Sequence, residues 1–282
     1  MLDCLIIGSG PAGISAALTL QSNGKTFQMF GSKTLSEKIT KAEKIHNYPA
    51  LTDVTGEEFA TALKTQLNAA NVEILEERVG GVYAMKDKFI VTAGQNTYEA
   101  KTVILATGVA SGSPIEGEEE FLGRGVSYCA TCDGFLYKDK TIAIVCTSKR
   151  LEHEIEFLAG IAKKVYAVPL YKGWNIQAEN VEVIIKKPKK IAGGLRVNAF
   201  HIGEKELAVD GVFLLKESAQ PSALVGGLQT ENGHVEVDRW CKTNLKGLFA
   251  AGDCTGRPYQ YAKAVGEGNV AAHSVVEFLA EK

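Results

Sequence analysis

The chain begins LDCLIIGSGPAGISAALTL, residues 2 to 20, where an apolar strand pattern runs through Gly8-Ser9-Gly10-Pro11-Ala12-Gly13 straight into an apolar helix. Nothing else in the sequence constrains the fold as much. Glycines spaced G-x-G-x-x-G between strand and helix permit a tight turn and close packing of helix on strand. They also let the backbone approach a pyrophosphate, to which the helix N-terminus offers positive partial charge. Such a turn can exist without a ligand, but the strand before it and the helix after it favour a dinucleotide. An acidic residue for a ribose hydroxyl is expected at the end of the next strand. There the chain reads Phe30-Gly31-Ser32, so the turn alone does not name the dinucleotide.

The same strand, turn and helix pattern returns at AIVCTSKRLEHEIEFL, residues 143 to 158, with Cys146, Thr147 and Ser148 filling the turn. Between the two, GEEFATALKTQLNAANV reads as an amphipathic helix, EILEERVGGVYAMKDKFIVTAG as an antiparallel hairpin unit, and KTVILATG as an apolar strand ending in glycine. A Gly, Ser, Pro and Glu segment, SGSPIEGEEEFLG, reads as a linker. AKKVYAVPL and VDGVFLL follow as strands of the second unit, and TNLKGLFAAGDC leads into a long closing helix. A lone strand and helix cannot bury both faces, so this last pair is expected to complete the first sheet. The pattern predicts an α/β protein of two Rossmann-like, three-layer ββα domains, the second inserted in the first. Expected boundaries are residues 1–110 plus 243–282 for one domain and 111–242 for the other.

A chain of 282 residues can bury a core in each domain without disulfide staples. Its net charge of −2 lacks the basic surplus of a nucleic-acid-binding protein. No apolar run approaches membrane-spanning length, and the N-terminus shows no basic region with a cleavage site. The chain therefore reads as cytoplasmic, in a compartment that keeps thiols reduced, where a close cysteine pair is catalytic or metal-binding.

Cys129-Ala130-Thr131-Cys132-Asp133-Gly134 holds such a pair. Two cysteines at this spacing close a small, reducible disulfide, and one thiol of such a motif commonly attacks as thiolate. Zinc would need four ligands, usually a second close pair. Cys4, Cys146, Cys241 and Cys254 are scattered singly, and no metal is expected. Asp133 reads either as a proton carrier for thiol chemistry or as a loop residue.

LIIGSGPAG, IHNYPAL, VILATGV, GRGVSYCATCDG, VDGVF and GLFAAGDC followed by GEGNVAA make nearly the whole chain resemble the low-molecular-weight, bacterial-type thioredoxin reductases. The resemblance implies FAD, a homodimer and thioredoxin as electron acceptor. It also implies that Gly8, Ser9, Gly10, Pro11, Ala12 and Gly13 hold the pyrophosphate, that Asn47 sits near the flavin, and that Thr107 and Gly108 lie along the cofactor. Gly252 and Asp253 would bind the ribityl and phosphate portion, and Tyr259, Gln260, Tyr261 and Ala262 would run beside the isoalloxazine. Phe30, Gly31, Ser32, Lys38 and Val79 are further expected FAD contacts. By the same resemblance Cys132 is the flavin-proximal thiol, Cys129 attacks the protein substrate, and Asp133 is the acid/base.

The departures from that family concern one function. Val145 to Leu151 stand where that family has a glycine-rich turn, Val168-Pro169-Leu170-Tyr171-Lys172 stands where a His-Arg-Arg cluster reads the 2′-phosphate of NADPH, and Lys216-Glu217 replaces an Ile-Gly pair. In retaining the cysteine pair while lacking these motifs, the chain resembles the ferredoxin-dependent flavin thioredoxin reductases. A flavin can take electrons singly and pass a pair to a disulfide. Two alternatives stand beside this: an NAD(P)H-dependent thioredoxin reductase with a divergent pocket, and a flavin-linked thiol redox sensor. Lys186-Lys187-Pro188-Lys189-Lys190 reads either as a docking patch for acidic ferredoxin or as a solvated basic loop. Tyr259 and Tyr261 are candidates to cover the flavin face left free by nicotinamide.

Overall fold

The computed structural model describes residues 1–35, 37–40, 42–109, 115–118, 120–128, 130–216 and 220–281, with the backbone only for Glu37, Lys38 and Cys132. The chain forms two units, Met1–Val109 with Gln220–Lys282, and Ala110–Ala219. Each is Rossmann-like, as the strand and helix pattern predicts.

In the first unit five parallel strands run in the order Ile74–Leu75, Phe27–Phe30, Leu2–Ile7, Asn96–Leu105, Leu248–Ala250. A hairpin of Val79–Ala84 and Phe89–Ala93 adds antiparallel to the first half of Asn96–Leu105. The central strand is apolar because both of its faces are covered: Cys4, Leu5 and Ile6 are fully buried. The opening helix, Pro11–Ser22, packs on the closing helix, Tyr261–Ala280, and Ser15 Oγ donates to Val265 O at 2.7 Å between them. Helix Gly56–Ala69 starts with a capping box, in which Thr55 Oγ1 accepts from Glu58 N–H and the Glu58 carboxylate accepts from Thr55 N–H. Parallel strands end at one edge of the sheet. The turns after Ile7, Phe30, Leu105 and Ala250 therefore meet there, although they lie far apart in sequence.

Asp3 ties three strands of this sheet at its other edge. Its carboxylate accepts from Thr26 N–H and Oγ1, both at 3.0 Å, and from Lys101 Nζ at 2.9 Å. Burial would raise the pKa of this carboxyl, but the bonds from Lys101 and Thr26 outweigh it and hold the group at about 2. A carboxyl depressed by folding stabilises the fold above its unfolded pKa, and that contribution disappears as pH falls through the folded value. Urea midpoints of Asp3→Asn are therefore expected to fall less steeply between about pH 4 and pH 2 than those of the parent protein. Parallel curves would show that Asp3 contributes nothing.

The second unit holds a parallel sheet ordered Val181–Val183, Lys164–Pro169, Thr141–Cys146, Gly211–Leu215, Val126–Ser127. A three-stranded antiparallel sheet, Pro188–Gly193, Val197–Ile202 and Lys205–Ala208, completes its β content. Helix Glu152–Ala159 packs Ile155 and Leu158 onto Ile142, Ile144 and Phe213. The unit ends at Ala219, well before the boundary at 242 that the sequence suggested. The residues beyond it are held within the first unit: Val225 bridges Val82, and Asn244 bonds Gly227 and Gln229. Residues 220–242 carry only short elements, so no hydrophobic period marked their side of the boundary.

Candidate functional site

At the shared sheet edge of the first unit, Gly8 adopts φ +122°, and a Cβ there would lie 2.1 Å from Ala106 O. A Cβ on Gly13 would lie 1.9 Å from Gly8 O. Only glycine lets the opening helix sit this close to its strand. Gly10 caps that helix without a side-chain hydrogen bond, Pro11 occupies the first turn, and no acidic residue lies there. A Cβ built on Gly10 or Gly108 meets nothing within 4 Å. The first-turn amides thus face open space beside a bare helix N-terminus, a cradle that fits the pyrophosphate of a dinucleotide. Ser9 braces the turn, its Oγ donating to Ser32 O at 3.0 Å and accepting from Ser32 N–H at 2.9 Å.

An acidic residue does reach the end of the second strand, from elsewhere in the chain. Glu76, just after Ile74–Leu75, accepts from Lys33 N–H at 3.1 Å and lies 3.4 Å from Ser32 Oγ. A motif search along one βαβ unit misses it because it lies 44 residues from Ser32. Phe30 is a core side chain packed edge-on to Tyr98, and its carbonyl accepts from Gly8 N–H. Lys38 lies in the short helix Glu37–Thr40, with its side chain outside the described residues. Val79 is buried at the start of the hairpin.

Asn47 and Gln260, 213 residues apart, meet through Asn47 Nδ2 donating to Gln260 Oε1 at 2.6 Å. Tyr259 turns its hydroxyl to His234 Nε2 at 2.7 Å, and the Arg257 guanidinium lies over its ring at 5.4 Å. Tyr261 instead packs against Phe59, with centroids 5.5 Å apart, so its ring belongs to the core side of the closing helix. Ala262 is exposed on the first turn of that helix. Gly252, φ +86°, begins the turn carrying Asp253, and its N–H donates to Glu267 Oε2 at 2.8 Å. Lys263 Nζ donates to Gly252 O, Thr255 Oγ1 and Gly256 O, each at 2.9 Å, and pairs with Glu267 at 3.1 Å. Sequence reasoning passed over Lys263 and Glu267. Their i,i+4 spacing on the closing helix was the available signal.

In the second unit Cys129 lies outside the described residues, and Cys132 lies in the short helix Ala130–Asp133. Asp133 Oδ2 accepts from Ser127 Oγ at 2.7 Å, which fixes the carboxylate at the end of that helix. Ser127 closes the strand that leads into the cysteine motif, a role its position in SYCATCDG did not reveal.

The second turn is filled by its own side chains. Thr147 N–H donates to Leu215 O at 3.0 Å, and Ser148 Oγ accepts from Arg150 N–H. Lys149 Nζ donates to Gly173 O at 2.9 Å. Glu152 opens the helix, where its carboxylate accepts from Tyr171 OH at 2.8 Å and Asn175 N–H at 3.1 Å. Burial and the bond to Glu152 push the Tyr171 hydroxyl up, so it remains a donor. Burial likewise pushes the Cys146 thiol up. A carboxylate in the first turn of a helix opposes a second anion there. Of the lysine run, Lys189 pairs with Glu204 at 2.7 Å and Lys190 with Glu116 at 2.8 Å, as a solvated basic edge would.

Residues 2–148 and 175–268 match the family described as pyridine nucleotide-disulphide oxidoreductase, and the match skips 149–174, which carry the filled turn's helix and Tyr171. Among curated relatives, a thioredoxin reductase of Helicobacter pylori is 34% identical over 99% of both chains. One of Aquifex aeolicus is 32% identical over 99% of this chain and 94% of its own. Among solved structures, a ferredoxin-flavin thioredoxin reductase from Clostridium acetobutylicum superposes with a TM-score of 0.93 at 45% identity, covering 100% of this chain and 99% of that one. A thioredoxin reductase from Gloeobacter violaceus reaches 0.81 at 26% identity, covering 99% and 94%.

Proposed function

Since the chain belongs to the pyridine nucleotide-disulphide oxidoreductases, as an FAD-dependent oxidoreductase of thioredoxin reductase type, we propose that it reduces thioredoxin through the Cys129 and Cys132 pair with electrons from reduced ferredoxin, not from NADPH. One observation carries the choice of donor. The first turn of the second unit's helix, where a pyridine nucleotide would place its pyrophosphate, carries Glu152, whose carboxylate is held by Tyr171 OH and Asn175 N–H. The glycine-cradled helix N-terminus of the first unit has no such carboxylate, so of the two turns only the first suits a dinucleotide.

When bound, FAD supplies a group that takes electrons one at a time and yields a pair to a disulfide. The amides after Gly10 would hold its pyrophosphate, and Asn47 with Gln260 would supply a polar contact to its ring system. In the reduced pair the Cys129 thiolate attacks a sulfur of the thioredoxin disulfide, forming a mixed disulfide and releasing one thioredoxin thiolate. Cys132 then attacks Cys129 Sγ, closing the Cys129–Cys132 disulfide and releasing the second. Each released thiolate takes a proton, a transfer assigned to Asp133, whose carboxylate Ser127 steadies.

An anaerobic donor comparison tests the proposal. Photoreduced ferredoxin is expected to yield thioredoxin dithiol, while NADPH and NADH at micromolar concentration leave the flavin spectrum unbleached. Rapid bleaching by either nucleotide would overturn the choice of donor. Flavin reduction by ferredoxin without thioredoxin turnover would favour a redox sensor.

A further inference from the structure

Three segments of the second unit meet at one buried carboxylate. Glu118 Oε1 accepts from Lys216 Nζ at 2.5 Å and from Tyr128 OH, and Glu118 Oε2 accepts from Ile115 N–H at 2.8 Å. Lys216 Nζ also lies 5.6 Å from the centroid of the Tyr128 ring. Glu118 is fully buried, Lys216 is 3% exposed and Tyr128 is 7% exposed. Ile115 and Glu118 lie just after the chain enters this unit, and Lys216 lies just before the chain leaves it. Tyr128 immediately precedes Cys129.

Burying two charges costs solvation, and an apolar pair of the same volume is commonly at least as stable, so such a pair is weak evidence for stability. What it provides is direction. A carboxylate with three donors holds each of them to one geometry, and here the donors are both chain crossings and the flank of the cysteine motif. We propose that Glu118, Lys216 and Tyr128 form a positioning cluster that fastens the Cys129–Cys132 segment to both connections of the inserted unit, with Tyr128, the residue before Cys129, as the strut whose hydroxyl anchors on Glu118. The proposal rests on these cysteines being the reactive pair.

Tyr128→Phe in the full-length holoprotein tests it, because the variant removes one hydroxyl and leaves the ion pair in place. Losing a hydrogen bond to a charged acceptor is expected to favour local opening of the segment roughly tenfold. The iodoacetamide alkylation rate constant of the dithiothreitol-reduced pair, followed by peptide mass, is therefore expected to rise roughly tenfold. The single-turnover rate constant for thioredoxin reduction is expected to fall at full amplitude. A merely destabilising change would lower amplitude and leave the rate constant unmoved. If either rate constant stays within about twofold of the parent protein, less than one such hydrogen bond accounts for, the cluster does not position the cysteines. Parent protein that shows no cysteine-dependent turnover would instead refute the reading of the pair itself. Glu118→Gln is a second variant, expected to move both rate constants in the same directions.

Discussion

Replacing Cys129 by serine is expected to stop thioredoxin reduction, a fall on the order of 10³-fold or more, while the reduced donor still bleaches the flavin. A serine hydroxyl is not ionised near neutral pH and forms no mixed disulfide, so the variant lacks the attacking sulfur. The glycine cradle and the Asn47–Gln260 contact lie in the other unit, and flavin binding is expected to survive. Cys132→Ser separates the roles of the two thiols. With Cys129 able to attack and nothing to resolve the product, a covalent adduct with thioredoxin is expected on non-reducing gels after dithiothreitol-reduced variant meets oxidised thioredoxin. An adduct formed by Cys129→Ser and not by Cys132→Ser would reverse the assignment. Thioredoxin reduction by both variants at the parent rate would remove the pair from the mechanism.

Lys216→Met is expected to destabilise the second unit by about 3–5 kcal/mol, the usual result of removing one partner from a buried ion pair. Glu118 is fully buried and would lose its paired cation, leaving Tyr128 OH and Ile115 N–H to bond its carboxyl group among the described residues. Methionine matches the length of the lysine stem, so most of the loss is electrostatic and not packing. Adding Glu118→Gln is expected to recover part of the loss, because an amide tolerates burial far better than an unpaired carboxylate. Urea denaturation of the four proteins in the cycle measures the coupling. A single variant within about 1 kcal/mol of the parent would show that the Lys216 charge does not matter to the fold.

The local features were legible along the chain. The G-x-G-x-x-G turn, its strand and its helix could be read because each glycine answers a short-range need: Gly8 for the turn and Gly13 for the close approach to Gly8 O. The Cys129-x-x-Cys132 spacing was visible in the chain because it is a local feature. The filled second turn was half legible. The absent glycines were visible in Cys146-Thr147-Ser148, but nothing in sequence pairs Glu152 with Tyr171, which approach only when adjacent parallel strands end side by side.

Glu76 reaching the end of another strand, Asn47 meeting Gln260, and Glu118 closing on Lys216 across 98 residues share one cause. Each joins turns that a parallel sheet brings to a common edge, or segments that the inserted unit brings together, and no periodicity in either partner records the other. The end of that unit at Ala219 was hidden for the same reason, since residues after Gln220 are claimed by contacts with distant strands. By itself the sequence determined the two strand–turn–helix units, the spacing of the cysteine pair, and the loss of one glycine turn, because backbone conformation and residue spacing are local. Tertiary structure alone decided that Glu152 meets Tyr171 and that Glu118 meets Lys216 and Tyr128, because partners distant in the chain are chosen by strand order and by the cost of burying an unpaired charge.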